Sequence, residues 1–414
     1  MSTGLHWLVI GTTAYRHGAG RWHSLADRWA GTDKVSFIDV IGIRRYLVGG
    51  MRKTATRRLR GLHQWEWVGP RLRYRTVLGG YLPALTRLWK VPGVWKANEV
   101  VLGRILSREL AGDWTRGCTN VVVNFNWGLS WAVNRAEANL VIYDCSDLFR
   151  AYPGESCPRV DWAEGRAAAT SDFVVVSSEC LRERMLLFAR DVLFLPNGAD
   201  ALASTPARAC ALRQTRVQAG RPVVGYHGST LNWRFDWGLL RRTAALCPEM
   251  EFRVFSDSDP VKTDLPANLR LLPWVDREAI AREVQQFTIG FMPYVMSEPT
   301  LSGFPVKFME FLSHGLPVVS TRLRELERFA DFVKLFDGDP QDAAALLRAC
   351  LAENNTQHRL ARITLAEAYS WDRVAARYRV AVCERLAARG LYVGDALDGG
   401  PDPVSCGAAP GFGD

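Results

Sequence analysis

The chain has 414 residues, of which 48% are hydrophobic and 23% charged, and its formal net charge is +9. That length predicts two domains of roughly 200 residues, and the composition is that of a globular protein. No apolar run reaches the roughly 18 residues of a membrane span, and we expect no secretory signal. The nine cysteines are scattered without a Cys-x-x-Cys pair, which argues against a disulfide framework and a zinc site and favours a reducing cytoplasm.

Strand-like and helix-like segments alternate through the first half. An apolar run at 5–12 leads into a loop at 16–21 and then a helical stretch at 22–29. Further short runs rich in β-branched residues lie at 35–41, 120–125, 139–143 and 173–177. Because these runs are apolar without alternation, they indicate buried parallel strands. A turn at 193–198 ends this half, and the polar, Ala-rich residues 201–220 are the predicted linker.

The second half repeats the pattern. Strands are predicted at 221–228, 251–255, 269–272, 289–293, 317–321 and 332–336, and helices at 237–246, 277–286, 306–314, 343–351 and 370–389. Two successive arrays predict an α/β chain with two doubly wound domains, 1–200 and 221–370, each with its ligand site at the carboxyl ends of its strands. We expect the closing helix, 371–392, to return to the first domain and the Gly- and Pro-rich tail, 393–414, to be disordered.

The most informative segment is the predicted helix that begins near Pro305, after a strand and an irregular loop. Proline suits the first helical turn, and the free N–H groups there form an anion site. Lys307 adds a positive charge beside a bound phosphate, and Glu310, one turn later on the same face, can accept hydrogen bonds from ribose hydroxyls. The segment therefore predicts a diphosphate–ribose site; the alternative is an ordinary loop–helix–strand unit with a solvated Lys and Glu.

The run PVKFMEFLSHGLPVVST, at 305–321, resembles the P-x-K-x-x-E-[YF]-L-x-x-G-x-P-V-V segment of GT-B glycosyltransferases. It is most similar to family 4 and to related bacterial polysaccharide and xanthan-type glycosyltransferases. Four shorter segments are similar to other parts of the same group: YDCSD at 143–147, LPNGAD at 195–200, GYHGSTLNWRFD at 225–236 and SWD at 370–372. The resemblance covers residues 5 to about 390.

The resemblance implies two Rossmann-like domains facing a cleft and transfer of a sugar from a nucleoside-diphosphate donor to a hydroxyl. The acceptor is expected to be a polysaccharide or other glycan precursor, including lipid-diphosphate-linked ones, bound by the N-terminal domain. Neither a metal nor another cofactor is implied. The residues implied to contact the donor all fall in the C-terminal domain: Gly228, Arg234, Tyr294, Ser302, Gly303, Lys307 and Glu310.

The stereochemistry of transfer stays open. Family 4 members usually carry a glutamate eight residues before the equivalent of Glu310, and this chain has Ser302 there. Asp147 follows the strand at 139–143, where a related xanthan-type glucuronosyltransferase has its general base. As a base it would take the proton of the acceptor hydroxyl and give inversion. The alternative is that Asp147 caps the next helix, while Asp144 is interpreted as structural.

The positive charge is concentrated at residues 41–104, where fourteen Lys/Arg and two Glu give +12, more than the whole chain. Trp65, Trp67, Trp89 and Trp95 lie in the same stretch. A solvated face and a nucleic-acid site are two interpretations, but no nucleic-acid motif accompanies the stretch. An anionic membrane surface is favoured, because it attracts Lys and Arg and because Trp prefers the interface. The chain is therefore expected to be cytoplasmic and peripheral at the inner face of the cell membrane.

Some weaker signals are set aside. Gly18 and Gly20 follow the first strand, but His23 stands where a dinucleotide fingerprint has its third glycine. In the same loop Arg16, His17 and Arg21 are candidates to contact the acceptor or donor. Asp-Ser-Asp at 257–259 is predicted to be a turn, and the histidines lack metal-binding spacing. Two other functions stay open: a nucleotide-sugar 2-epimerase and a catalytically inactive GT-B scaffold.

Overall fold

The computed structural model describes residues 4–12, 20–42, 64–79, 116–127, 138–151, 158–200, 220–256 and 265–391, with the helical residues Val100 and Arg104. Contacts divide the chain into two units. The first contains residues up to Arg150, Glu155–Leu195 and a segment beginning at Val374, and the second contains Pro196–Arg373 with Ala151–Gly154. Each unit contains one sheet built mainly from parallel strands, which confirms the predicted α/β class.

The sheet of the first unit has the order β3-β4-β2-β1-β5-β6-β7-β8. Its strands are β1 (Leu5–Gly11), β2 (Lys34–Gly42), β3 (Glu66–Trp67), β4 (Leu72–Gly79), β5 (Thr119–Asn124), β6 (Leu140–Cys145), β7 (Phe173–Val176) and β8 (Val192–Phe194). Only the pairing of β3 with β4 is antiparallel among the described strands. The described helices of this unit are α1 (Arg21–Trp29), α2 (Pro158–Thr170) and α3 (Glu179–Met185), with a 3₁₀ turn at Phe149–Ala151.

Strand β4 was not predicted, because its arginines interrupt the apolar pattern that marks a buried strand. Arg73 is nevertheless buried: its Nε donates to Ser36 Oγ at 3.0 Å, and its guanidinium carbon lies 4.0 Å from the centroid of the Trp65 ring. Hydrogen bonding and cation–π contact offset the cost of burying the charge. Most of the basic stretch, the linker at 201–219, the turn at 257–259 and the tail lie outside the described residues.

The helical layer of the first unit is held by an aromatic cluster. The rings of Trp7 and Trp29 stack at 4.1 Å, and Tyr378 meets Trp29 edge-on at 5.0 Å. Tyr378 belongs to α11 (Trp371–Ala387), the closing helix, whose Arg379 Nε also donates to Asp33 at 2.9 Å. From Val374 onward this helix therefore packs in the first unit, although it follows the second unit in the chain.

The sheet of the second unit has the order β11-β10-β9-β12-β13-β14, with all its strands parallel. The strands are β9 (Val223–Gly228), β10 (Glu251–Ser256), β11 (Leu269–Pro273), β12 (Ile289–Met292), β13 (Val318–Thr321) and β14 (Val333–Phe336). The strand order reverses between β9 and β12. Ligands of open α/β sheets bind at such a switch point, beyond the carboxyl ends of the strands.

The described helices of the second unit are α4 (Trp237–Leu246), α5 (Arg277–Val284), α6 (Glu298–Ser302), α7 (Val306–Ser313), α8 (Arg324–Glu327), α9 (Pro340–Glu353) and α10 (Thr356–Ala368). Four of them, α4, α5, α7 and α9, lie within a few residues of their predicted bounds. The helices α6, α8 and α10 were not predicted, and α6 occupies part of the segment that was predicted to be an irregular loop. Among the described residues, no helix combines the length and apolar character needed to cross a membrane.

Candidate functional site

A tight turn at the end of β9 begins the candidate site in the second unit. Gly228 has φ +132°, a conformation that favours glycine. A Cβ atom at this position would lie 2.9 Å from Cε of Lys307. The absence of a side chain at Gly228 therefore lets the Lys307 side chain lie directly against the backbone of the turn.

Helix α7 presents its N-terminus beside that turn. Pro305 occupies the N-cap with φ −76°, and its ring offers no side-chain oxygen to the N–H groups of the first turn. Those groups and the positive end of the helix dipole attract an anion. Lys307, the second residue of the helix, adds a full positive charge at the same end. The predicted helix start is thus present, with the lysine in its first turn.

Lys307 and Glu310 form an ion pair, with Nζ 2.6 Å from Oε2. Both side chains are partly exposed, so the pair is reachable by a ligand. The same Oε2 lies 3.5 Å from Nε2 of His227, a buried residue next to Gly228. Burial, and to a smaller extent the neighbouring Lys307 charge, lower the pKa of His227 to about 3. The sequence interpretation did not single out His227, because no local pattern marks its contact with α7.

Two tyrosines and an arginine line the adjoining ends of β9 and β12. The rings of Tyr226 and Tyr294 meet edge-on at 6.1 Å, and burial raises the pKa of both hydroxyls. The loop carrying Arg234 is tied to the end of β12, since Val295 N–H donates to Arg234 O at 2.9 Å. The guanidinium carbon of Arg234 lies 5.0 Å from the Trp233 ring centroid. The structure therefore brings Arg234 and Tyr294 to the same strand ends as Gly228.

Ser302 and Gly303 lie at the end of α6. The Ser302 hydroxyl donates to the Glu298 carbonyl of its own helix at 2.6 Å, and the residue is buried. Gly303 is the C-cap of this helix and is half-buried. Ser302 was predicted to contact the donor, and in the structure its hydroxyl donates to its own helix. Gly303 is separated from α7 by a short turn.

The candidates of the first unit lie around the end of β6. Asp147 is half-buried, two residues beyond this strand, and its main-chain oxygen accepts from Phe149 N–H at 3.1 Å. Asp144 is fully buried, and its carboxylate accepts from Arg21 Nε at 3.0 and 3.1 Å. Burial raises the pKa of Asp144 to about 6, and the Arg21 charge opposes that rise. These contacts agree with a structural role for Asp144.

Arg21 requires a correction. It was interpreted as a loop residue able to contact acceptor or donor, but it begins α1 and is buried against Asp144. A buried guanidinium needs a charged partner, and Asp144 supplies it. Arg16 and His17, the other candidates of that loop, lie outside the described residues. Among the residues that the structure does describe, no group of three His, Cys, Asp or Glu could hold a metal ion.

No family model matches this chain. It is 26% identical over 255 residues to the predicted teichuronic acid biosynthesis glycosyltransferase TuaH of Bacillus subtilis (strain 168). That match covers 56% of this chain and 64% of the relative, so the chain spans less than two thirds of the length of that protein.

Several solved structures share the whole architecture. The UDP-forming α,α-trehalose-phosphate synthase of Burkholderia xenovorans gives a TM-score of 0.63 at 11% identity, covering 94% of this chain and 100% of its own. The N-terminal domain of the Candida albicans trehalose-6-phosphate phosphatase gives 0.62 at 9% identity, covering 93% and 97%. A glycosyltransferase of Rickettsia africae gives 0.59 at 11% identity, covering 92% and 99%. At these identities the similarity shows a shared fold.

Proposed function

We propose that this chain is a glycosyltransferase. Its two units, each with a mainly parallel sheet and helices, have the architecture of the GT-B fold. The chain moves a sugar from a nucleoside-diphosphate donor to a hydroxyl of a polysaccharide or glycan precursor. The observation that carries the proposal is the cluster at the switch point of the second unit, where Lys307, Glu310 and the Gly228 turn meet at the N-terminus of α7. The name of the Bacillus subtilis relative supports both the reaction and the kind of acceptor.

The donor side of the reaction follows from these contacts. The diphosphate binds at the N-terminus of α7, where N–H groups, helix dipole and Lys307 stabilise the charge that develops as it leaves. Glu310 accepts hydrogen bonds from the ribose hydroxyls. Lys307 and Glu310 are paired with each other, and donor binding exchanges that pair for a lysine–phosphate and a carboxylate–ribose contact. Positive charge is thus supplied by the chain itself, and the proposal calls for no metal.

The acceptor side is proposed to use Asp147 as a general base. Its carboxylate takes the proton of the acceptor hydroxyl while that oxygen attacks the anomeric carbon. The bond between this carbon and the diphosphate oxygen breaks, and the nucleoside diphosphate leaves with the bonding electrons. Attack from the face opposite the leaving group inverts the anomeric configuration. Asp147 suits this role better than Asp144, whose carboxylate is buried and held by Arg21.

A panel of nucleotide-sugars tests the proposed activity against its two alternatives. We expect release of a nucleoside diphosphate from at least one donor, increasing with a polysaccharide-precursor acceptor, as measured by chromatography. A 2-epimerase would change the sugar within the donor or release it without needing an acceptor. An inactive scaffold would bind donor in calorimetry and leave it intact. Either of those results would overturn glycosyl transfer.

A membrane surface is proposed to present the acceptor through the basic stretch at 41–104. Among its described residues, Trp67, the last residue of the edge strand β3, and the following Val68 are 53% and 48% exposed. Two guanidinium groups contact the Trp65 ring, with the Arg73 and Arg75 guanidinium carbons 4.0 Å and 4.8 Å from its centroid. Exposed indole beside positive charge suits the headgroup region of an anionic bilayer.

Flotation with liposomes tests this surface. We expect the protein to float with vesicles containing anionic lipid and to remain in the soluble fraction with neutral vesicles, because the attraction is electrostatic. Trp67→Ser is expected to reduce the floated fraction several-fold. Trp162→Ser is the matched control, since Trp162 on α2 is similarly exposed, at 52%, and lies outside the stretch. Equal recovery with both lipid compositions, or equal loss in both variants, contradicts the proposal.

A further inference from the structure

His227 lies in the donor site, and the proposed function leaves it without a role. It is the penultimate residue of β9, and only 5% of its surface is exposed. One side of its ring meets Phe311 of α7 edge-on, with centroids 5.6 Å apart. Its Nε2 lies 3.5 Å from Oε2 of Glu310. The imidazole is therefore held between a strand and a helix, with one nitrogen toward the carboxylate.

The position of the imidazole proton follows from its surroundings. Burial and the Lys307 charge lower the pKa of His227 to about 3, so the ring is neutral near pH 7. Its Nδ1 is buried and has no hydrogen-bond partner among the described residues. A buried N–H without an acceptor is costly, whereas Nε2 faces an acceptor in Glu310. The proton therefore belongs on Nε2, the nitrogen that lies 3.5 Å from the carboxylate oxygen.

Two cationic or N–H groups lie near Glu310 Oε2 among the described contacts: Lys307 Nζ at 2.6 Å and His227 Nε2 at 3.5 Å. The lysine side chain is flexible and partly exposed, and it is the group that a diphosphate would draw away. The imidazole is buried and fixed by its strand. Once Lys307 turns to a phosphate, His227 stays beside the carboxylate as a donor.

We propose that His227 is a positioning residue: its Nε2–H holds the Glu310 carboxylate in the orientation that accepts ribose hydroxyls while Lys307 contacts the diphosphate. This inference rests on the proposed function, because it presumes a nucleoside diphosphate at α7. It assigns to His227 the recognition of a hydroxylated ribose, acting through Glu310 and without touching the ligand. A merely structural histidine would affect all nucleotides equally.

Calorimetric binding measurements distinguish a positioning role of His227 from a merely structural one. UDP, GDP, ADP and CDP are titrated into the full chain, and the tightest is compared with its 2′,3′-dideoxy analogue. The wild type is expected to bind the ribose form at least about 10-fold more tightly, since hydrogen bonds to a charged group are lost with the hydroxyls. His227→Leu fills the space without a donor, and we expect it to lose most of this ratio. His227→Gln retains an N–H near the Nε2 position and is expected to keep most of it.

The outcomes separate the inference from its premise. Thermal unfolding first establishes that each variant is folded, and the Gln variant keeps the test open if the Leu variant is not. An unchanged ratio in His227→Leu, or a ratio lost equally in both variants, overturns the positioning role while the proposed function stands. If the wild type binds none of the four nucleoside diphosphates, the proposed function fails and the inference fails with it. Loss in the Leu variant with retention in the Gln variant supports the inference.

Discussion

Replacing Lys307 with methionine is expected to lower kcat for glycosyl transfer by about 10²–10³-fold, the usual effect of removing one group that stabilises a developing negative charge. Methionine keeps the length and apolar body of the side chain and removes only the ammonium group. The Lys307–Glu310 pair is partly exposed, so its loss is expected to cost at most about 1 kcal/mol of stability. The activity loss would therefore come from the chemical step, measured as initial rates at saturating donor.

Lys334→Met is the matched control for this variant. Lys334 lies in the same unit at the beginning of β14, the opposite end of the sheet from the candidate site, and its Nζ pairs with Glu353 at 2.8 Å. Removing it deletes a lysine and an ion pair without touching α7. We expect wild-type rates from this control. Similar losses in both variants, or near-normal rates from Lys307→Met, would remove Lys307 from the mechanism.

Replacing Asp147 with asparagine is expected to lower kcat by about 10²–10⁴-fold, the range that a positioned general base contributes. Asparagine keeps the shape of the side chain and removes the basic oxygen. Donor affinity is expected to stay at the wild-type value, because the residues proposed to hold the donor belong to the second unit. Steady-state rates give kcat, and calorimetry with the nucleoside diphosphate gives the affinity.

Asp191→Asn provides the comparison for Asp147. Asp191 lies in the first unit just before β8, and its carboxylate pairs with Arg385 at 2.7 Å on the surface. Breaking such an exposed pair costs about 0–1 kcal/mol, so this variant should fold and turn over normally. Near-normal turnover of Asp147→Asn would assign the base to another residue. Loss of donor affinity in the same variant would indicate a structural rather than a chemical role.

Much of the candidate site could be predicted because its signals are local. A helix places residues three apart on one face, so the spacing of Lys307 and Glu310 already implied that the two side chains meet. Pro305 at the N-cap and the glycine turn at Gly228 are likewise readable from short segments. The sequence interpretation could not find His227, since its contact with Glu310 depends on how β9 packs against α7.

In the first unit, too, sequence interpretation could not find contacts between residues that are distant in the chain. Apolar runs such as β1 and β5 were recognisable because burial on both faces leaves an uninterrupted hydrophobic signal. Arg21 and Asp144 are 123 residues apart in the chain, and nothing near either residue indicates that they pair. Arg73 was interpreted as part of a basic stretch, yet a hydroxyl and an indole ring bury it within the sheet.

The sequence by itself determined the α/β class, the succession of two strand–helix arrays and the start of α7, because each depends on residues close together in the chain. Only the tertiary structure decided which charged side chains are buried and what they contact. It buried Arg21 against Asp144, turned the Ser302 hydroxyl to its own helix and placed His227 beside Glu310. The physical reason is that the cost of burying a polar group depends on its partners, and those partners come from distant parts of the chain.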